Sequence, residues 1–359
     1  MVTTHNLGFP RIGARRELKF AQEAFWKGRI NEEDLQITGA DLRRRHWQNQ
    51  RPLDRVPVGD FSFYDQILDM SVTLGNLPER VNDTKGSELD RYFRVARGRS
   101  GQESACCGVQ AGEMTKWFDT NYHYLAPELS PGQVFTLSSS KPVDEFLEAK
   151  ALGVHTRPVL LGPVTFLKLA KTKAEDFAPL SLLSALLPVY AQALQGLAAA
   201  GADWVQIDEP CLALDLTDFE RAELRRAYGA LTHAAPGLRL MLTSYFGGYG
   251  ENLTTAVNLP VEGVHLDLVR APDELEVALS ASRQSLVLSL GVIDGRNVWR
   301  ADLPALLDRL EPVVARRGSD RVVLAPSCSL LHTPIDLDLE TALDPEIRQW
   351  LAFAVQKIE

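Results

Sequence analysis

The sequence predicts an α/β fold whose parallel strands and helices close into a (β/α)8 TIM barrel with an N-terminal helical extension. Two observations predict it. From residue 133 onward, apolar runs of about six residues alternate with helical patterns, the rhythm of βα units and a parallel sheet. Those runs are mostly continuous, as expected of strands covered on both faces. Seven or more such units favour closure over an open doubly wound sheet. No GxGxxG follows a strand, so a dinucleotide site has no anchor.

The elements follow in order. Leu7–Phe9 reads as a short strand running into a Pro/Gly turn, and a helix opens at about Ala14 with Leu18, Ala21 and Phe25 on one face. Helical patterns cover 15–27, 31–50 and 62–74, with an apolar strand at 56–60. Residues 82–112 are polar and glycine-rich and read as an excursion or mobile loop. The aromatic-rich end of 119–125 suits a strand. Then helix and strand alternate: 142–152 and 157–162, 179–200 and 204–208, 217–231 and 238–246, 252–258 and 263–268, 272–281 and 285–293, 303–317 and 321–326. A last helix covers about 344–357. Nine candidate strands are one more than a barrel needs, so one is false or lies outside it.

Composition narrows the function. With 359 residues, 45% hydrophobic and 24% charged, the chain can bury a sizeable core. A formal net charge of -9 argues against nucleic acid as the main partner. No apolar run suggests a membrane span, and Met1–His5 lacks a signal-peptide pattern. Cys106, Cys107, Cys211 and Cys328 form no CxxC, which points to reduced thiols in a cytoplasmic protein.

Against that acidic background, Arg11, Arg15, Arg16 and Lys19 cluster in the turn and the first helical turns. Cations there oppose the helix dipole, and Arg16 and Lys19, three apart, can face one partner. The cluster suits a multiply charged anion; the alternative is a solvated basic face beside Glu17 and Glu23.

In a barrel of this kind the working residues lie at strand C-termini. Asp60, Asn121, His123, Gly162-Pro163-Val164-Thr165, Asp208-Glu209-Pro210, Thr243-Ser244-Tyr245, Asp267, Asp294-Gly295-Arg296-Asn297 and Ser327-Cys328-Ser329 fall there. Asp208 and Glu209 suggest an acid/base pair for glycoside hydrolysis. Strand neighbours point to opposite faces, however, so at most one faces the axis. An ion pair with Arg296 is the structural alternative. His265 with Asp267, and Cys328 with His332, are the nearest approach to metal ligands, too few for a closed zinc site. Ser327-Cys328-Ser329 shows no adjacent base, and a buried inert thiol suits Cys328 better.

Several stretches carry a resemblance. Leu7-Gly8-Phe9-Pro10-Arg11-Ile12-Gly13, Arg15-Arg16-Glu17-Leu18-Lys19, Glu113 to Phe118, Asn121-Tyr122-His123-Tyr124 and Leu161 to Thr165 resemble cobalamin-independent methionine synthase. So do Gln206 to Pro210, Gly295 to Trp299 and Ser327 to His332, in the family's order. The resemblance implies an enzyme that transfers a methyl group from 5-methyltetrahydropteroyltri-L-glutamate to L-homocysteine, giving L-methionine. It implies two related barrels, of which residues 1–359 look like the N-terminal one. The C-terminal barrel would carry the zinc, the homocysteine site and most of the pterin site. The pattern at 350–359 reads as a helix cut short of that second half. Where the catalytic barrel presents His-x-Cys, Glu and Cys, this chain resembles it only through Ser244-Tyr245-Phe246, Asp267 and Cys328, so no zinc and no catalytic residue is expected in this half. What carries over is binding of the folate polyglutamate tail, at Arg16, Glu17, Leu18, Lys19 and Lys116. Arg forks and a Lys charge suit several carboxylates. The fragment alone is expected to be inactive. The rivals are a self-sufficient hydrolase using Asp208 and Glu209, and a purely structural barrel.

Overall fold

The computed structural model describes residues 1–82, 86–98 and 108–359. Its strands are β1 (Thr3–Thr4), β2 (Val56–Val58), β3 (Met114–Lys116), β4 (His123–Leu125), β5 (Thr156–Leu161), β6 (Trp204–Asp208), β7 (Arg239–Thr243), β8 (Gly263–Asp267), β9 (Val287–Ile293) and β10 (Val322–Pro326). Eight of them form one parallel sheet in the order β1-β10-β9-β8-β7-β6-β5-β2. Its ends meet: His5 bridges Arg55 in parallel, and the Arg55 N–H donates to the Thr4 carbonyl at 3.2 Å. The sheet is therefore a closed barrel, as the βα rhythm predicts.

The surplus strand is the 123–125 segment. It pairs antiparallel with β3 as a hairpin outside the barrel, Lys116 opposite His123. The first barrel strand also sits earlier than expected. Leu7–Phe9 is irregular because its amides go elsewhere: Leu7 N–H to the Asn6 side chain at 2.8 Å and Phe9 N–H to Asp60 at 2.8 Å.

The strands alternate more than their apolar look suggested. In β6, Val205 and Ile207 are fully buried in the apolar shell under the helices, whereas Gln206 and Asp208 turn to the axis and hydrogen-bond there. Pro179–Ala200 corrects the reading that no stretch is long and apolar enough for a bilayer. Its 22 residues pass that test, yet half of the window is buried, and its inner face (Leu186, Tyr190, Leu194, Leu197) packs in the barrel's shell.

The supposed excursion 82–112 contains a helix, Glu88–Arg97, started by a capping box between Ser87 and Asp90. Leu89, Tyr92, Phe93 and Val95 bury against Leu35, Leu68 and Leu125. Residues 83–85 and 99–107 of that reading, with Cys106 and Cys107, lie outside the described residues. The last helix divides into Pro345–Trp350 and Ala354–Ile358. Between them Leu351, Ala352 and Phe353 are buried, and the Ala352 N–H donates to the Val298 carbonyl at 2.8 Å, which breaks the helical ladder.

Candidate functional site

The N-terminal cations occupy a turn more than a helix. Helix Glu17–Trp26 begins three residues later than expected, because Arg16 takes a left-handed conformation at its N-cap. Arg11, Arg15 and Arg16 thus precede the helix, and only Lys19 lies within its first turn, paired to Glu23 at 3.8 Å. The conflict with the helix dipole is correspondingly smaller than the sequence suggested, and Glu17 supplies a carboxylate at the positive end.

Arg11, Arg16 and Lys19 line one cleft of about 550 Å³, together with Leu18, Tyr64, Tyr122, Asp336 and Glu340. That is room for part of a drug-sized ligand. Leu18 is buried against Leu42 and Phe61 and pins the helix beside the cleft. Glu17 does not line it; its carboxylate accepts from the Arg15 N–H and from Arg45, each at 2.8 Å, and ties the turn together. Lys116 does not line it either. It is exposed on β3, paired across the hairpin with His123, the residue after the cleft residue Tyr122. Glu113, three residues before Lys116, pairs with Lys171, and residues 114–116 form a strand.

Arg11 is the residue the sequence reading undervalued. It is 7% exposed; its Nη2 donates to the Tyr64 carbonyl at 3.2 Å and to the Tyr122 hydroxyl, and its guanidinium lies 5.3 Å from the Tyr122 ring centre. Its Nη1 is buried without a hydrogen-bond partner among the described residues.

The barrel mouth itself is covered. The β3–β4 hairpin brings Trp117 and Phe118 over it, and rings follow from Phe118 to Phe246 (6.0 Å), His332 (5.4 Å) and Tyr122 (6.5 Å). Asp119 in the hairpin turn accepts from Arg270 at 3.0 Å and Arg296 at 2.7 Å. Beneath remains a cavity of about 60 Å³, lined among others by Asp60, Lys141, Asp208 and Tyr245. It holds a few waters, not a sugar ring.

Asp208 and Glu209 diverge, as strand alternation requires. Asp208 accepts from Gln206 at 2.7 Å and from the Tyr245 hydroxyl at 3.0 Å, and burial pushes its carboxyl up to about 7. Glu209 is fully buried on the other side. It accepts the Val164 and Thr165 N–H groups at 3.1 and 2.6 Å and the Tyr228 hydroxyl at 3.3 Å, and burial raises it to about 7 as well. It caps helix Pro163–Leu169 and faces no cavity substrate. Neither carboxylate pairs with Arg296, whose partner is Asp119.

Residues 3–318 match the family described as cobalamin-independent synthase, N-terminal domain. The chain belongs to that family. Among its relatives, a 5-methyltetrahydropteroyltriglutamate–homocysteine methyltransferase of Caulobacter vibrioides is 76% identical, with 100% of this chain and 48% of the relative covered. The like-named protein of Mesorhizobium japonicum is 56% identical over 98% of this chain and 47% of its own. The chain thus spans about half the length of the curated relatives it matches. Among solved structures, a putative vitamin-B12 independent methionine synthase from Listeria monocytogenes superposes with a TM-score of 0.64 at 15% identity, covering 92% of each chain. A B12-independent methionine synthase from Shewanella sp. W3-18-1, in complex with selenomethionine, gives 0.61 at 14%, over 92% and 88%. At such identity these show the fold.

For a member of the cobalamin-independent synthases, the positions resembling the zinc ligands are already committed. Tyr245 donates to Asp208. Asp267 accepts the Phe246 and Arg270 N–H groups, each at 3.0 Å, and burial raises it to about 6. Cys328 is fully buried, and burial pushes its thiol up, away from the thiolate a metal requires. His265 is spent on Ser289 and the Ser327 carbonyl. This donor set does not fit zinc.

Proposed function

We propose that the chain is the tail-binding half of a two-barrel cobalamin-independent methionine synthase. In this reading it holds the polyglutamate of 5-methyltetrahydropteroyltri-L-glutamate while a second barrel of the same protein takes L-homocysteine and forms L-methionine. The observation that carries it is the 550 Å³ cleft lined by three cations on a chain of net charge -9. Guanidinium forks and an ammonium, set in one concave site, match a row of carboxylates. Holding the tail orients the pteroyl group, and orientation is this half's contribution to the rate. The zinc belongs to the second barrel, where it would hold homocysteine as its thiolate at neutral pH. The free buried thiols of Cys211 and Cys328 support a cytoplasmic location.

The test uses the two-barrel enzyme. Replacing Arg16 and Lys19 together by Ala should raise KM for the triglutamate substrate roughly tenfold or more, charge-assisted contacts being lost, and leave kcat nearly unchanged. Lys116→Ala measures the hairpin's share. An unchanged KM in the double variant would favour the purely structural barrel. Chain 1–359 by itself should carry no stoichiometric zinc and transfer no methyl group; bound zinc or methyl transfer by it would sink this division of labour. The hydrolase rival gains nothing from the geometry, with Glu209 facing away from the mouth and 60 Å³ of space there.

A further inference from the structure

We infer that Arg11 is the buried anchor of the cleft and takes the free carboxylate of the glutamate nearest the pteroyl group, leaving Arg16 and Lys19 to read those beyond. The inference rests on the tail-binding reading above and divides its labour. A guanidinium with a buried, unpaired N–H pair is costly, because the desolvation of a charged donor is not repaid. Arg11 Nη1 is such a donor, it belongs to a residue 7% exposed, and the residue lines the cleft. Its other nitrogen is held by the Tyr64 carbonyl and the Tyr122 hydroxyl. The fork is therefore fixed in orientation before any ligand arrives, with one arm occupied and one vacant.

Depth and direction set the order of contacts. Arg11 stacks on Tyr122, whose ring neighbours His332 and through it Phe246, so it marks the mouth-side end of the cleft. Arg16 and Lys19 are exposed; the Lys19 side chain retains half of its free surface. The opposite wall offers Asp336, whose Oδ1 is taken by the Asp338 N–H at 2.9 Å and Gln356 at 2.7 Å, and the exposed Glu340. Neither reaches Arg11 as a partner. Net charge alone would not select an anion here; the vacant buried arm does. A chain of carboxylates laid along the cleft from its mouth-side end meets the pre-oriented, desolvated fork first and the two solvated cations after it. Contacts at a desolvated site are strong, and exposed ones are screened.

Titration calorimetry on the two-barrel enzyme tests this with 5-methyltetrahydropteroyl mono- and triglutamate and the glutamate-free pteroate with its own carboxyl capped as the primary amide. Arg11→Met should weaken mono- and triglutamate equally, by roughly 10- to 100-fold. Arg11→Lys, which keeps the charge and loses the fork, should recover only part of that loss. Arg16→Ala and Lys19→Ala should weaken the triglutamate and spare the monoglutamate. Pteroate should bind wild-type enzyme as weakly as monoglutamate binds Arg11→Met. Unchanged monoglutamate affinity in Arg11→Met overturns the inference, as does a loss that grows with glutamate count. If the variants fail to fold, the ligand series on wild-type enzyme decides: equal affinity for pteroate and monoglutamate refutes an anchor at the first glutamate. Failure of the tail-binding reading looks different, since wild-type enzyme would then bind mono- and triglutamate alike.

Discussion

Arg16 sits at φ 61, ψ 34, a left-handed conformation that costs an L-residue about 1–2 kcal/mol. The turn leading to it uses Gly13 at φ 86, where an added Cβ would fall 2.2 Å from Glu17 Oε2. Glycine serves that strained position; at 16 an arginine stands instead, and its side chain reaches the cleft. Strain kept at the wall of a cleft points to what the side chain does there. Arg16→Gly should therefore raise the unfolding free energy by about 0.5–1 kcal/mol, the relief of strain less glycine's extra chain entropy. The same variant should lose triglutamate affinity. Urea unfolding beside calorimetry checks both, and a destabilised Arg16→Gly would mean the side chain is packed for stability.

At the scale of elements, the loop from β5 into helix Pro163–Leu169 and the end of β6 form one unit. Glu209 covers the helix N-terminus with both oxygens, satisfying two otherwise orphaned N–H groups where the helix dipole favours negative charge. Gly162 makes this possible: a Cβ there would lie 2.1 Å from Glu209 Cδ. Its φ of -72 is unstrained, so the requirement is space alone. Gly162→Ala must displace a buried, fully bonded carboxylate and should cost about 3 kcal/mol, lowering the urea midpoint at unchanged slope. A cost below about 1 kcal/mol would show that Glu209 moves freely and that the cap is weak. The pair of carboxylates that read as catalytic is thus one interior acid and one helix cap.

Across the whole molecule, a buried polar chain fills the barrel. His265 and His5 share the Ser289 hydroxyl at 2.8 and 2.6 Å; Arg157 bonds His5 and, at 2.7 Å, Gln206; Gln206 bonds Asp208. Burial lowers His265 to about 4 and His5 well below its usual value, so both are neutral near pH 7. Asp208 shifts the other way, from the ordinary 3.8 to about 7. A carboxyl raised on folding binds its proton more tightly in the folded state. Its stabilising effect is complete below the unfolded value and is lost as pH rises through about 7. Asp208→Asn, which cannot ionise, should therefore gain stability relative to wild type as pH goes from about 4 to 7, by up to about 4 kcal/mol. Urea titrations at four pH values measure it; a difference independent of pH would place the ionised carboxylate and Arg157 in balance.

The barrel was legible in the sequence because its cause is local. Strand 204–208 and helix 303–317 stand where period and turn chemistry put them, and the Ser87–Asp90 capping box was there to be read. Leu18 announced a buried face by its spacing and is buried. What sequence alone determined was the alternation of βα units, their closure and membership in a family. Tertiary structure alone decided which side chains meet. It set Arg11, rather than Lys116, in the cleft with Arg16 and Lys19, and it laid the β3–β4 hairpin across the mouth. It also turned Glu209 onto a helix N-terminus at Val164, 45 residues earlier in the chain. The physical reason is range: periodicity is fixed within a few residues, whereas Arg11–Tyr122 and Glu209–Val164 contacts depend on how distant segments pack.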